Sequence, residues 1–387
     1  MNSSSSRERL VARLHAALND RRGKGLERVL TARAADDPLL DLSANDYLDL
    51  SRDPAVCAAA AAALQRWGAS SSASPLISGY TREHEDLERT LCHWVGLPFG
   101  LVWNGGYVAN VAVLGSLPVP GDLILADRLA HHSLLAGAQQ SGARLQRFAH
   151  NDLAALRRLL EEPAARDRTV FVVTESVYSM DGDSPDLGGL AALRSEFGFV
   201  WVLDEAHATG WYGKNGSGRA EEAGVTGSVD VLVGTLGKAL GSAGAYTLFH
   251  DERLRRHFIN FAGEFIYATY LPPASAAAGR AAVGRVQAMG EEARLALQAM
   301  SVTWRDALRA VVRGIPSGDS PIIPIPVGEA ERTMRCAAHL RSRGIKLGAV
   351  RPPTVPQGGA RLRLSLRRGL DEYARERVVA ALREGLQ

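Results

Sequence analysis

Val229-Asp230-Val231-Leu232-Val233-Gly234-Thr235-Leu236-Gly237-Lys238-Ala239-Leu240-Gly241 decides how this chain is read. An apolar run with the character of a buried strand passes into a tight glycine-rich turn that carries one lysine. Small residues flank Lys238, so a flat ligand can come close to its amine. Upstream, Phe199-Val200-Trp201-Val202-Leu203 is a second apolar run, ended by Asp204. His207 follows in Asp204-Glu205-Ala206-His207. A carboxylate ending one buried strand and an amine just past another can grip one ligand from two sides. Pyridoxal phosphate requires such a pair, an amine for the Schiff base and a carboxylate that keeps its ring nitrogen protonated.

Working outward, residues 99–233 alternate between short apolar runs and helical spacing. Strands are expected at 100–103, 123–126, 145–148, 169–174, 200–203 and 229–233, with helices between most of them, such as 152–162 and 187–197. This alternation predicts an α/β fold with a mostly parallel sheet and helices on both faces. Ligands in such sheets sit outside the carboxyl ends of the strands, where residues 176–181, Asp204 and Lys238 would converge. Before this region, a helix is expected over 7–22, a short strand over 41–48, and a helix over 54–67 opened by Asp53-Pro54. Residues 1–6 are polar and expected to be disordered. The Ser/Ala/Gly-rich stretch 68–79 reads equally as a linker or as a substrate-facing loop. After Leu271-Pro272-Pro273 come a long helical region over 274–312 with few breakers, a helix over 330–343, a half-exposed strand over 361–366 and a closing helix over 371–386. The expected division is an N-terminal helical arm (1–45), a large domain (46–273) and a smaller C-terminal α+β domain (274–387).

The chain has 387 residues, 46% hydrophobic and 22% charged, enough for a large core. Lys+Arg 45 against Asp+Glu 42 leaves a net charge of +3, too small and too dispersed to suggest nucleic-acid binding. Cys57, Cys92 and Cys336 lie far apart, without metal-ligand spacing, which fits a reducing compartment. With no signal core at the N-terminus and no membrane-spanning run, a cytoplasmic protein without a membrane or metal site is expected.

Gly105-Gly106-Tyr107 follows a strand and opens a helix, where free backbone amides can hold a phosphate. A glycine pair there is more often only a turn. His131 or His132 could stack on an aromatic ring, though loop histidines are usually just solvated. Lys238 is followed by Ala239 rather than Ser or Thr, so the glycine loop is not a nucleotide P-loop. The combination in chain order of phosphate turn, histidine, Asp…His and Thr-x-x-Lys, each at a strand end, is what raises the odds.

Together these motifs resemble the α-oxoamine synthases, fold-type I pyridoxal-phosphate enzymes. The likeness extends over 21–370. It rests on Ser43-Ala44-Asn45-Asp46-Tyr47-Leu48, Ala126-Asp127-Arg128-Leu129-Ala130-His131, Ser179-Met180-Asp181-Gly182-Asp183, Val350-Arg351-Pro352-Pro353-Thr354-Val355-Pro356 and Ala360-Arg361-Leu362-Arg363-Leu364. The resemblance implies a large seven-stranded sheet domain and a smaller C-terminal domain. It implies that Lys238 bonds the cofactor aldehyde, Asp204 pairs with the ring nitrogen, and His207 and Ser179 approach the phenolic oxygen. His131, rather than His132, would stack on the ring, and Gly106, Tyr107 and Thr235 would line the phosphate. Thr269 would reach the phosphate of a neighbouring subunit, since the family forms dimers with shared sites. Arg351 would bind the amino-acid carboxylate with Asn45 nearby, and Arg21 or Arg28 would help bind the acyl thioester.

The implied reaction is the decarboxylative condensation of L-alanine with a pimeloyl thioester to 8-amino-7-oxononanoate, a step of biotin biosynthesis. The thiol carrier is left open between coenzyme A and acyl carrier protein. The alternatives are a sister enzyme that uses glycine or serine with another acyl-CoA, or a non-catalytic relative. Asp49, Pro75 and Ser217 depart from the family pattern and bear on the acyl donor rather than on the cofactor.

Overall fold

The computed structural model describes residues 5–386. Seven strands form the central sheet: β1 (Phe99–Trp103), β2 (Leu123–Asp127), β3 (Arg144–Phe148), β4 (Val170–Glu175), β5 (Val200–Asp204), β6 (Val231–Thr235) and β7 (Ala245–Phe249). Across the sheet they run in the order β1-β7-β6-β5-β4-β2-β3. β7 is antiparallel to both neighbours, and the other pairings are parallel. β2, β4, β6 and β7 are buried along their whole length. Burial on both faces is why these strands read as continuous apolar runs rather than alternating ones. Helices link them, and side chains start those helices: Asp152 accepts from Ala155 N, and Asp186 from Gly189 N.

β7 was not among the expected strands. It follows the lysine turn so closely that the glycines mask its start. In the structure that turn is a hairpin, with Leu236 N–H donating to Gly244 O and Ser242 N–H to Leu236 O. Gly241 sits at φ 59, and a Cβ there would lie 2.2 Å from Ser51 N, so only glycine fits.

A second sheet holds β8 (Ile322–Gly328), β9 (Gly348–Val350) and β10 (Ala360–Ser365), antiparallel in the order β9-β10-β8. The strand expected to be half-exposed is this central β10, and only Arg361 in it escapes full burial. The strand expected over 41–48 shrinks to Leu40–Asp41, paired in parallel with Ile345–Lys346. The long C-terminal helix, Pro273–Arg309, is interrupted at Gly290 (φ 78, ψ 165). The disorder expected over 1–6 falls, for residues 1–4, outside the described residues. Ser5 caps the first helix, Ser6–Gly23, in a capping box with Glu8. That helix buries none of its residues, and Leu10, Val11, Leu14 and Leu18 stay exposed. Among the described residues no helix is long and apolar enough to cross a membrane.

A charged clamp ties two loops together at the carboxyl end of the sheet. His150 Nδ1 lies 2.8 Å from Asp127 Oδ1, and its Nε2 lies 2.8 Å from Asp183 Oδ2. Asn151 donates its backbone N–H to Asp127 and its side-chain amide to Asp183. Two acceptors on one ring call for both nitrogens protonated. Burial works against that charge, but the two carboxylates outweigh it and lift His150 to about 10. An unfolded histidine titrates near ~6.5. The raised folded value therefore stabilises fully below that pH, and the contribution is lost as pH rises toward 10. Thermal unfolding followed from pH 6 to 10 should show wild type losing stability over this window, and His150→Gln losing much less. At pH 7 the variant should be weaker by about 2 kcal/mol, below the range for fully buried pairs because Asp183 is partly exposed. Identical pH slopes for both proteins would contradict the clamp.

Candidate active site

Parallel strands bring their carboxyl ends to one edge of the sheet. There Glu175 ends β4, Asp204 ends β5, and Thr235 ends β6 with Lys238 just beyond. His131 stands between β2 and the helix His132–Gln140, and Gly106 opens the helix Gly106–Ser116 after β1. One cavity touches all of them.

Lys238 Nζ lies 2.8 Å from His207 Nε2. On the far side of that ring, Nδ1 lies 2.6 Å from the Tyr47 hydroxyl, which donates onward to Asn45 Oδ1 at 3.1 Å. This chain fixes the tautomer: Nδ1–H donates to Tyr47, and Nε2 accepts from the lysine. Burial, and then the charges of Lys238 and Arg363, hold His207 well below its usual range, so it is neutral. Burial also lowers Lys238 to about 8, with Asp204 and Glu175 pulling the other way. A lysine so placed offers a free amine near neutral pH.

Asp204 is 6% exposed and accepts from Ala206 N at 2.8 Å and from Asn110 Nδ2 at 2.8 Å. Asn110 also donates to Ser133 Oγ at 3.0 Å. Ser133 Oγ lies 2.6 Å from His131 Nδ1, and Ser133 N–H points to the same atom at 3.3 Å. His131 Nδ1 is therefore the acceptor and Nε2 carries the proton. Desolvation at the cavity wall lowers His131 below its usual range, against the pull of Asp204.

Gly106, Tyr107, His131, Asp204, His207, Thr235 and Lys238, all expected in the site, line this cavity. Thr235 Oγ1 donates to Gly244 O and accepts from Gly237 N–H, so it braces the lysine turn. His132 stands aside, with its Nδ1 3.1 Å from the Tyr107 hydroxyl. Ser179 is outside the lining, and its carbonyl accepts from Arg363 Nε at 2.7 Å. Asn45 lines a neighbouring cavity of about 660 Å³ that Gly237 and Arg367 also border. Arg351 donates from Nη1 to Gly25 O at 2.6 Å and from Nη2 to Glu27 O, and Arg28 donates to Thr354 Oγ1 at 3.2 Å. Arg21 is exposed on the first helix, and Thr269 is exposed with its carbonyl bonded to Asn104. Of the departures from the family pattern, Asp49 (φ 55) holds Arg367 and Gly369 N–H, Ser217 bonds Glu221, and Pro75 opens the turn Pro75–Gly79.

Four residues near the reacting groups were missed. Asn110 lay three residues past the quoted Gly105-Gly106-Tyr107 turn, Glu175 fell between the strand expected over 169–174 and the stretch 176–181, and Tyr47 sat inside the quoted segment 43–48 without a role. Arg363 read as the outward face of an alternating strand. It is 7% exposed and donates to Asn45 Oδ1 at 2.9 Å and Ser365 Oγ at 2.7 Å. Its charge is near enough to depress both His207 and Lys238.

The residues present fit pyridoxal phosphate. The cavity holds a carboxylate at its floor, an amine that can shed its proton, a helix amino end beside Thr235, and one face of an imidazole. Asn110 Oδ1, buried and without a partner, is an acceptor that the protein itself leaves unmatched at the same wall. In cofactor-free protein, reductive methylation of Lys238 followed by mass spectrometry should rise with pH along a titration centred near 8. A curve displaced to the ordinary lysine range would contradict the buried, depressed amine.

The profile of the aminotransferase class I and II family matches residues 37–382. A protein named 8-amino-7-oxononanoate synthase from Geotalea daltonii is 41% identical over 89% of this chain and 88% of its own. One of the same name from Chromohalobacter salexigens is 42% identical over 97% and 95%. Among solved structures, a serine palmitoyltransferase from S. paucimobilis with bound PLP superposes with a TM-score of 0.88 at 25% identity, covering 96% of each chain. An 8-amino-7-oxononanoate synthase from Francisella tularensis superposes with a TM-score of 0.78 at 26% identity, covering 90% of this chain and 98% of that one. The chain belongs to the aminotransferase class I and II family and, within it, to the α-oxoamine synthases of the 8-amino-7-oxononanoate synthase group.

Proposed function

We propose that this chain is a pyridoxal-phosphate-dependent C-acyltransferase that condenses L-alanine with a pimeloyl thioester, giving 8-amino-7-oxononanoate, carbon dioxide and free thiol. The observation that carries this reading is Lys238, Asp204 and His131 around one cavity, with Arg363 beside it. Lys238 would hold the cofactor's aldehyde carbon, Asp204 its ring nitrogen, His207 its phenolic hydroxyl by accepting at Nε2, and the amino end of the helix Gly106–Ser116 its phosphate. When bound, the cofactor draws off the electron pair left on the substrate carbon as a proton or carboxylate departs.

The chain's own groups do the rest. Lys238 Nζ takes the α-proton of alanine and returns a proton to the same carbon after carbon dioxide leaves. His207, neutral and oriented by Tyr47, accepts a hydrogen bond from that amine and so keeps its lone pair directed. Arg363 takes the alanine carboxylate, the role expected of Arg351, with Asn45 orienting the guanidinium. Arg351, engaged by the backbone of residues 25 and 27, stands at the acyl-donor end with Arg28, which donates to Thr354 Oγ1. The large domain over 46–273 carries the cavity, the region 274–387 supplies Arg363, and the arm over 1–45 supplies Asn45 and Arg28. Two copies share their sites, with Thr269 presented across the interface beside Tyr267 and Phe261, which are 85% and 69% exposed.

Purified protein should release thiol and carbon dioxide from pimeloyl-CoA only when L-alanine is present. Activity with pimeloyl-carrier protein alone would assign the carrier, and activity with glycine or serine instead would overturn the choice of amino acid. Lys238→Ala should lose turnover while still taking up the cofactor. Arg363→Ala should raise KM for alanine by about 100-fold, the scale of one lost charge-assisted bidentate contact, with a smaller change in kcat. Sedimentation should give a dimer of 41.4 kDa chains.

A further inference from the structure

We propose that Glu175 is a positioning residue: its carboxyl holds the main chain of His131 and so fixes where the His131 ring stands over the cofactor. The proposal rests on the reading of the cavity as the pyridoxal-phosphate site.

Glu175 is 2% exposed, at the last position of β4, and its side chain lines the same cavity as Lys238. Its Oε1 accepts from His131 N–H at 2.6 Å. The His131 ring is held by Ser133, but Ser133 belongs to the helix that His131 itself caps. The ring and that helix would drift together unless something ties them to the sheet. Beyond helix packing, two hydrogen bonds do so close to the ring: Asn110 through Ser133 Oγ, and Glu175 through the backbone of His131. Of these, Glu175 acts on the residue itself, reaching across from the strand next to β2.

A carboxyl group is an unusual choice for this task. Glu175 stands in register with Asp204 on β5, so two buried acids lie side by side. Each of two such neighbours disfavours the other's charge. Asp204 accepts two hydrogen bonds, from Asn110 and Ala206. Glu175 accepts one from His131, and burial together with Asp204 raises it well above the usual carboxylate range, with Lys238 opposing. The neutral carboxyl is thus the favoured form of Glu175, and its carbonyl oxygen accepts from His131.

An uncharged tether can be imitated by an amide. Cofactor binding is read by absorbance titration of cofactor-free protein, and the spectrum of the bound form is recorded across pH. Glu175→Gln should keep the dissociation constant within about twofold of wild type, whereas Glu175→Ala should weaken it about tenfold, the scale of one hydrogen bond. Glu175→Ala should also displace the absorption maximum in the direction that His131→Ala displaces it. In the double variant the two effects should fail to add, because both act on one ring. Cofactor-free Glu175→Ala that melts with wild type would separate a positioning loss from a folding loss. If it does melt early, the Glu175→Gln comparison and the double-variant cycle still decide. Glu175→Gln as impaired as Glu175→Ala would overturn the proposal by showing that a charge is required. Full additivity with His131→Ala would overturn it by separating the two residues. Wild-type protein that takes up no cofactor would instead overturn the reading of the cavity, before any variant is compared.

Discussion

The 2.8 Å contact between Lys238 Nζ and His207 Nε2 obliges one of two basic groups to surrender its charge. Water would let both keep it by moving them apart. The fold removes that freedom: His207 is 5% exposed, and its far nitrogen is claimed by Tyr47, itself wholly buried. With the imidazole locked as an acceptor, the amine is the group that donates, and its own burial makes losing a proton easy. A neutral, directed nucleophile therefore follows from packing rather than from a separate base. The same enclosure makes Asp204 necessary, since an ammonium or a protonated ring nitrogen needs a counter-charge there.

Around that contact the polar side chains form one connected set. Asp204, Asn110, Ser133 and His131 are linked in a row that runs from the end of β5 onto two helices, and Tyr47, Asn45 and Arg363 in another that ends on β10 of the small sheet. Apart from these rows, Ser320 Oγ donates to Gly182 O, and Arg305 binds the carbonyls of Ser320 and Ile322 at the joint between the large and small sheets. Arg361 pairs with Asp181 at the same joint. Each row is satisfied mostly by its own members, which is how a buried polar site avoids a large desolvation penalty.

What the sequence disclosed was whatever depends on local pattern. The buried parallel strands, the acid at the end of β5 and the lysine turn were legible because burial on both faces writes a continuous apolar run. β7 escaped because a glycine turn and the strand it feeds share small residues at their boundary. Arg363 escaped for a different reason. Alternation of arginine and leucine normally marks one wet face, yet β10 has a strand on either side and its polar face turned to the site. Nothing within six residues records that enclosure. Asn110 and Glu175 are polar residues whose partners lie on other elements.

The parallel pairing of Leu40–Asp41 with Ile345–Lys346 bears on how the protein is made. Residues 40–47 leave the ribosome early, but their partners, Ile345, Lys346 and Arg363, are among the last to be synthesised. The large sheet is complete in sequence by Phe249, so Lys238 and Asp204 are synthesised long before Arg363. Over that interval Tyr47 and Leu48, which end up buried, wait without the strand that covers their neighbours. Contacts of such separation are slow to form because loop closure precedes any gain from them. A chain cut short before residue 345 would therefore lack both the partner strand of Leu40–Asp41 and the guanidinium that reaches Asn45.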